Sequence, residues 1–444
     1  MTHAERYAAG KALRAKVPRS SQGEWAPAAR RSDPIDLLIE SNRTRLPELV
    51  PIRYGRMATS PFAFFRGSAL LMAYDLGGRP VTGIKAQICG DAHLSNFGLF
   101  ATPERNVIFD VNDFDETLRG PWEWDLKRLA ASSFVAARTN GLRRKDARSI
   151  ARAGAQAYRR EMHELANLGY LNVWYSRVDV RKALEIVPRS YIAAAKHAER
   201  DAIHRTLNHG LPNFVVRKGR TYRIQDDAPL IEHLNDTERV RRLARDVEEY
   251  RATLQDDRRE LLSRYRLVDF ASKVVGVGSV GTRCYIALFI GKNKDDALLL
   301  QVKEAQASVL ERFLGKSRYA NHGERVVHGQ RLMQAASDMF LGWVRGVSND
   351  YYVRQLRDLK FSAAVPAMAR RDLIDYAALC GRTLARAHAR SSHATLIAGY
   401  LGRGEAFDRA ICAFAESYAE QNERDYNALL AAIRSGRIKA LNSL

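Results

Sequence analysis

Residues 89–129 read CGDAHLSNFGLFATPERNVIFDVNDFDETLRGPWEWDLKRL, and two junctions between strand and loop stand out in them. The apolar run Ile84 to Ile88 predicts a short strand that delivers the loop Cys89 to Asn96. The run Val107 to Val111 predicts a second strand that delivers Asn112 to Thr117. Asp91, Asn96 and Asp113 thereby fall where strands give way to loops. Carboxylate, amide oxygen and carboxylate form a hard-oxygen set suited to Mg²⁺. Phosphoryl transfer needs such a set: one carboxylate to orient or deprotonate a hydroxyl, and two groups to hold the metal. The plainer alternative is a pair of loops in which Asp and Asn bond only their own backbone. Against it stands the crowding of Asp110, Asp113, Asp115 and Glu116, which repel one another unless a cation compensates. Phe114 and the apolar strand before it tie that acidic turn to a core.

Helical spacing flanks this stretch. Asp33-Pro34 reads as an N-cap with proline at the first helical position, opening a helix to about Arg45. Phe62 to Tyr74 predicts one buried helix. Trp124 to Arg138, Lys145 to Ala166, Asp372 to Ala389 and Glu405 to Ser435 predict further helices, and Thr237 to Arg264 a long charged one. Residues 1–32, with Pro18, Gly23 and Pro27, predict weak order. A hairpin is expected to turn at Lys218-Gly219.

The texture changes after residue 265. Ala271 to Ile290 and Ala297 to Val302 predict an antiparallel sheet, and Tyr351 to Leu356 one more strand. Within it lies Gly276-Val277-Gly278-Ser279-Val280-Gly281. A dinucleotide-binding unit would follow such glycines with a helix. Here a strand follows, which suits a glycine hairpin over nucleotide phosphates, with Lys303 on the next strand. An acidic helix residue should then orient Lys303, with Glu311 first and Glu324 second. The alternative is a hairpin whose glycines serve only its twist.

The chain has 444 residues, 46% of them hydrophobic, enough for two or three lobes with a sizeable core. Its formal charge of +21 suits anionic partners, nucleotides and nucleic acid among them, although scattered arginines also solvate helix faces. The four cysteines are far apart, which argues against a zinc knuckle or a disulfide framework and fits a cytoplasmic protein. No apolar run is long enough for a membrane span.

GDAHLSN resembles the catalytic loop of aminoglycoside phosphotransferases and related kinase-like enzymes at Gly90, Asp91, His93 and Asn96, with Cys89 where those enzymes carry histidine. DFDETLRGPWEWDLKRLA is similar to their metal-binding segment. The resemblance implies Asp91 as the catalytic carboxylate with His93 beside it, Asn96 and Asp113 as Mg²⁺ ligands, with Asp110 as the fallback, and Asp125 as a brace for the loop. It implies ATP held by Gly276, Gly278, Ser279, Gly281 and Lys303, with Glu311 pairing the lysine. The acceptor hydroxyl is left open, an anionic one being compatible with the charge. FAFFRG, GPWEWDLKRLA and QVKEA extend over nearly the whole chain a similarity to a bacterial family known as domain of unknown function 2252.

The expected fold is α+β and protein-kinase-like, with a small antiparallel-sheet lobe at 265–360 and a larger helical lobe from 33–264 and 361–444. Because the glycine loop follows Asp91 and Asp113 rather than preceding them, the order implies circular permutation. The alternatives are a metal-dependent phosphohydrolase using Asp91, His93 and the 110–115 carboxylates, and an inactive kinase-like fold serving as a basic binding module.

Overall fold

The computed structural model describes residues 1–179, 215–219, 221–228, 230–233, 237–274, 277–293, 296–346, 348–356 and 361–441. It is an α+β protein of packed helices and small antiparallel sheets. Its main apolar core joins the helices Trp122–Thr139, Arg144–Ala166, Arg370–Ala389 and Ala406–Arg434 to the strands around the acidic loops. Trp122, fully buried, stacks on Tyr158 with ring centroids 5.5 Å apart.

The first strands frame the two loops. β1 (Lys85–Ile88) pairs antiparallel with β4 (Leu118–Pro121), so the segments before Cys89 and after Thr117 lie side by side. β2 (Phe97–Ala101) and β3 (Val107–Val111) form a hairpin that receives β5 (Val178–Asp179) and β14 (Phe361–Ser362) at its edges. The expected hairpin at Lys218-Gly219 is present as β6 (Val215–Lys218) and β7 (Thr221–Ile224), with Gly219 at φ 64°.

A second sheet has six strands in the order β12-β13-β11-β10-β9-β8, comprising β8 (Ile231–His233), β9 (Arg266–Lys273), β10 (Cys284–Ile290), β11 (Ala297–Ala305), β12 (Gly342–Arg345) and β13 (Asp350–Gln355). It begins before residue 265, and one face is covered by Val247, Tyr250 and Leu254 of the preceding helical region. Its register sets Lys303 opposite Tyr352 on β13 and opposite Cys284 on β10.

Three local expectations change. Residues 1–32 are not loose: His3–Ala12 is a helix with a Thr2/Glu5 capping box, and two 3₁₀ turns follow. Arg31 bonds both Asp75 and Asp425, at 2.7–2.9 Å. Phe62 to Tyr74 is broken at Ser68 into the helices Pro61–Gly67 and Ala69–Leu76. The long charged helix is likewise two, Thr237–Ala252 and Asp256–Ser263. Asp33 caps the helix Pro34–Ser41 as expected, accepting from the Ile35 amide at 2.7 Å.

Candidate active site

Asp125 holds the Cys89–Asn96 loop from beneath. Its two carboxylate oxygens accept the amides of Cys89 (2.8 Å) and Gly90 (2.9 Å). His388, from the distant helix Arg370–Ala389, reaches the same carboxylate at 3.2 Å and is itself bonded to Tyr158 at 2.9 Å. Gly90 has φ 80°, and a Cβ there would meet Glu116 O at 2.4 Å, so the turn needs glycine on both counts. Cys89 is buried, and burial pushes its thiol well above the ordinary value. That sulfur is an inert packing group.

Asp91 follows, its side chain 18% exposed at the wall of a cleft of about 230 Å³. Oδ1 accepts from Arg128 Nε at 2.8 Å, while Oδ2 lies 3.7 Å from His93 Nε2, beyond hydrogen-bond reach. Oδ2 is therefore the oxygen that can meet an incoming hydroxyl. Burial raises the Asp91 carboxyl against the pull of Arg128 and Arg66, which shifts it toward base strength. His93 is buried, and burial with the nearby Arg66 and Arg128 holds it well below its usual value, as a neutral imidazole. Asn96 donates its amide nitrogen to Asp91 O at 2.7 Å, so the amide oxygen is the atom left to serve as a ligand.

The second loop enters the same cleft through Asp113, Asp115 and Glu116. Asp113 is raised by burial and by Asp115, with Lys303 and Arg354 opposing. Asp115 is the partner of Lys303: its carboxylate bonds the buried ammonium and accepts from Tyr352 Oη (2.9 Å) and Ser279 Oγ (3.2 Å). Burial alone would raise Asp115, but Lys303 outweighs it and holds the group low. The lysine stays charged despite its burial, held above its ordinary value by Asp115.

Glu311, expected to pair with Lys303, stands instead 3.8 Å from Arg325 and 3.9 Å from His322, and Glu324 faces His328. The lysine's counter-charge comes from the acidic loop because β11 aims its inner face there. Asp110, the fallback ligand, is fully buried behind the cleft, bonded to Arg386 and to the Ala335 amide. It is a structural anchor.

The roof is the connection from β9 to β10. Gly276 lies outside the described residues. Val277–Ser279 form one 3₁₀ turn, and Gly278 and Ser279 line the cleft. Gly281, at φ 89°, ends the turn, and its carbonyl accepts from the Leu46 amide at 2.8 Å. Arg45 donates to the carbonyls of Val280 (2.6 Å) and Gly278 (2.9 Å). The roof is thus pinned to the segment after the helix Pro34–Ser41.

Asp91, Asp113, Gly278 and Ser279 therefore share one cleft, with Lys303 one bond behind it. The sequence pointed to Asp115 only as a member of the acidic cluster, not as the partner of Lys303, and Arg128 and Tyr352 went unassigned. Arg128 follows Asp125 by three residues, hence on one helix face, and Tyr352 is the register partner of Lys303. Among the described residues no three His, Cys, Asp or Glu side chains form a metal cluster. Mg²⁺ asks for less, commonly one or two carboxylates plus waters and phosphates. The donor set suits it. Asp113 is a crowded, half-buried carboxylate, and the Asn112 side-chain oxygen beside it is buried without a partner.

A family model described as "Uncharacterized protein conserved in bacteria (DUF2252)" matches residues 45–432. No curated protein and no solved structure matches the chain. No helix among the described residues is long and apolar enough to cross a membrane.

Proposed function

Because the chain belongs to this bacterial family, whose description names no reaction, we propose its function from the site alone: an ATP- and Mg²⁺-dependent phosphotransferase acting on a hydroxyl acceptor. In this proposal the fold is kinase-like and circularly permuted, the six-stranded sheet being the nucleotide-clamping lobe. The carrying observation is convergence. Segments almost two hundred residues apart in sequence bring Asp91, Asp113 and the glycine turn to one cleft, with Lys303 bonded to Asp115.

Each residue then has a task. Asp91 Oδ2 orients the acceptor hydroxyl and takes its proton, while Arg128 fixes the other oxygen. Asn96 and Asp113 would hold Mg²⁺, which when bound neutralises phosphate charge. Lys303 and the amides of the 277–281 turn face the nucleotide phosphates. His93, neutral and buried, shapes the loop rather than moving a proton.

Thermal shift with ATP, ADP and GTP, each with and without Mg²⁺, tests the proposal. A rise in Tm with ATP that needs Mg²⁺ is expected. Asp113→Asn should keep the Tm of the free protein and lose the Mg²⁺-dependent rise, and with it any turnover. No shift with any nucleotide would overturn the proposal.

A further inference from the structure

Arg66 lies in the last turn of the helix Pro61–Gly67, in the wall of the cleft beside Asp91 and Asp113. Its backbone is held on both sides by other buried arginines. Arg128 donates to Phe65 O and Arg53 to Gly67 O, each at 2.6 Å. The Arg128 guanidinium also lies 3.8 Å from the centre of the Phe65 ring. At the helix start, Ser60 Oγ accepts the Ala63 amide at 3.1 Å. On the roof side, a Cβ at Gly278 would stand 3.7 Å from Arg66 O.

The side chain so fixed has nothing to hold. Arg66 Nε is buried without a hydrogen-bond partner, and no carboxylate among the described residues bonds the guanidinium. Asp91 and Asp113 act on it only through space, and burial lowers its proton affinity. A guanidinium that loses water and gains no acceptor is a net cost to the fold. Arg45 and Arg53, also on the cleft wall, spend their donors on carbonyl, amide and hydroxyl oxygens rather than carboxylates. The wall therefore carries three guanidiniums that no described carboxylate hydrogen-bonds, with Asp91 and Asp113 acting on Arg66 only across space. A planar fork of donors in such a place suits a tetrahedral oxyanion, which it can grip through two oxygens.

We infer that Arg66 is a binding residue for a phosphate-class oxyanion entering the cleft between Asp91 and Asp113. The inference rests on the proposed phosphotransferase for its meaning but not for its test. Two sources share this chemistry. One is the phosphoryl group in transit from the nucleotide, whose growing negative charge Arg66 would stabilise. The other is an anionic group on the acceptor, placed next to the hydroxyl that faces Asp91.

The test uses the full chain and inorganic phosphate alone, without nucleotide or metal, by calorimetry. The wild type should bind phosphate. Arg66→Gln should bind it about tenfold more weakly or not at all, and Arg66→Lys should recover part of the loss, as a single charged donor does for a fork. An unchanged Tm in the lysine variant keeps the comparison valid if the glutamine variant folds poorly. Equal phosphate affinity in all three proteins, or none in the wild type, overturns the inference. Repeating the titration with saturating Mg²⁺ and a non-hydrolysable ATP analogue separates the sources. Phosphate excluded by the analogue assigns Arg66 to the transferred group, whereas Arg66-dependent binding that persists assigns it to the acceptor. If phosphate binds through Arg66 while no nucleotide binds, the phosphotransferase proposal falls and the oxyanion site stands.

Discussion

Lys303 and Asp115 show how much of the site rests on single charges. The ammonium is 4% exposed and is matched by one carboxylate. Removing one member of a buried pair leaves the other charge stranded, at a cost of about 3–5 kcal/mol, whereas replacing both by apolar groups is often nearly neutral. Lys303→Met should therefore lower unfolding free energy in urea by about that much, and Lys303→Met with Asp115→Leu should recover most of it. A double variant as unstable as the single one would show that the pair is not what holds β11 to the acidic loop. Glu116 makes a different point. Burial pushes its carboxyl up to about 7, although the Val309 amide donates to it at 2.7 Å. The folded chain keeps this proton where the unfolded chain has released it. The group's contribution to stability therefore falls as pH rises from the ordinary glutamate range toward about 7, and stays low above that. Glu116→Gln keeps an acceptor for Val309 and removes the titration. It should raise Tm at pH 8 while changing it little at pH 5, a gain on the order of 1 kcal/mol; equal shifts at both pH values would contradict this. The residue scale is also where the sequence was most legible. Asp91, Asn96, Asp113 and Asp125 share one contiguous stretch; Asp91 and Asp113 line the cleft, while Asn96 bonds the Asp91 carbonyl and Asp125 lies beneath the loop. The partner of Lys303 was not legible, because Asp115 and Lys303 are 188 positions apart and meet only through the tertiary fold.

At the scale of elements, local signals did well where the determinant was local. The Asp33 cap, the Gly219 turn and the helices Trp122–Thr139, Arg144–Ala166, Arg370–Ala389 and Ala406–Arg434 formed as their residues dictate. They failed where order comes from elsewhere in the chain. Pro18, Gly23 and Pro27 are breakers, yet the segment holding them is ordered because the helix His3–Ala12 lies against the helix Ala394–Leu401. The two backbones touch at glycines: a Cβ at Gly399 would stand 2.2 Å from Tyr7 O, and one at Gly10 would stand 2.0 Å from Leu396 O. No pattern within residues 1–32 encodes that contact. Gly399→Ala should therefore push the first helix away at a cost of about 1–3 kcal/mol. Limited proteolysis would read this as faster cleavage within residues 1–32, with the remainder of the chain still protected. Unchanged cleavage would mean that the first helix is held by other contacts. The break at Ser68 has a comparable origin, since Arg53 and Arg128 claim the carbonyls of Gly67 and Phe65.

Across the whole molecule, the sequence pointed to the α+β class and to the change of texture near residue 265. It did not reveal that the sheet starts at β8. Helical segments on both sides of the sheet region share one core. The buried Arg31 closes that core, bridging Asp75 and Asp425 on helices far apart in sequence. Arg31→Met would leave two neighbouring buried carboxylates without their cation. The expected loss in thermal and urea stability is about 3–5 kcal/mol at pH 7, shrinking in acid as Asp425, whose carboxyl burial already raises, takes up a proton. A loss independent of pH would point to packing instead. The pairing of Asp115 with Lys303 carries a consequence for how the protein is made. Synthesis runs in one direction, and the acidic loop leaves the ribosome long before β11 exists. At about 5–20 residues per second, the 188-residue step from Asp115 to Lys303 takes on the order of 10–40 seconds. Throughout that interval Asp113, Asp115 and Glu116 are a cluster of like charges with no lysine to quiet them. The nascent chain should keep this loop wet and open until the lysine strand arrives. The cleft is thus a late product of translation, and a half-made chain has no working site.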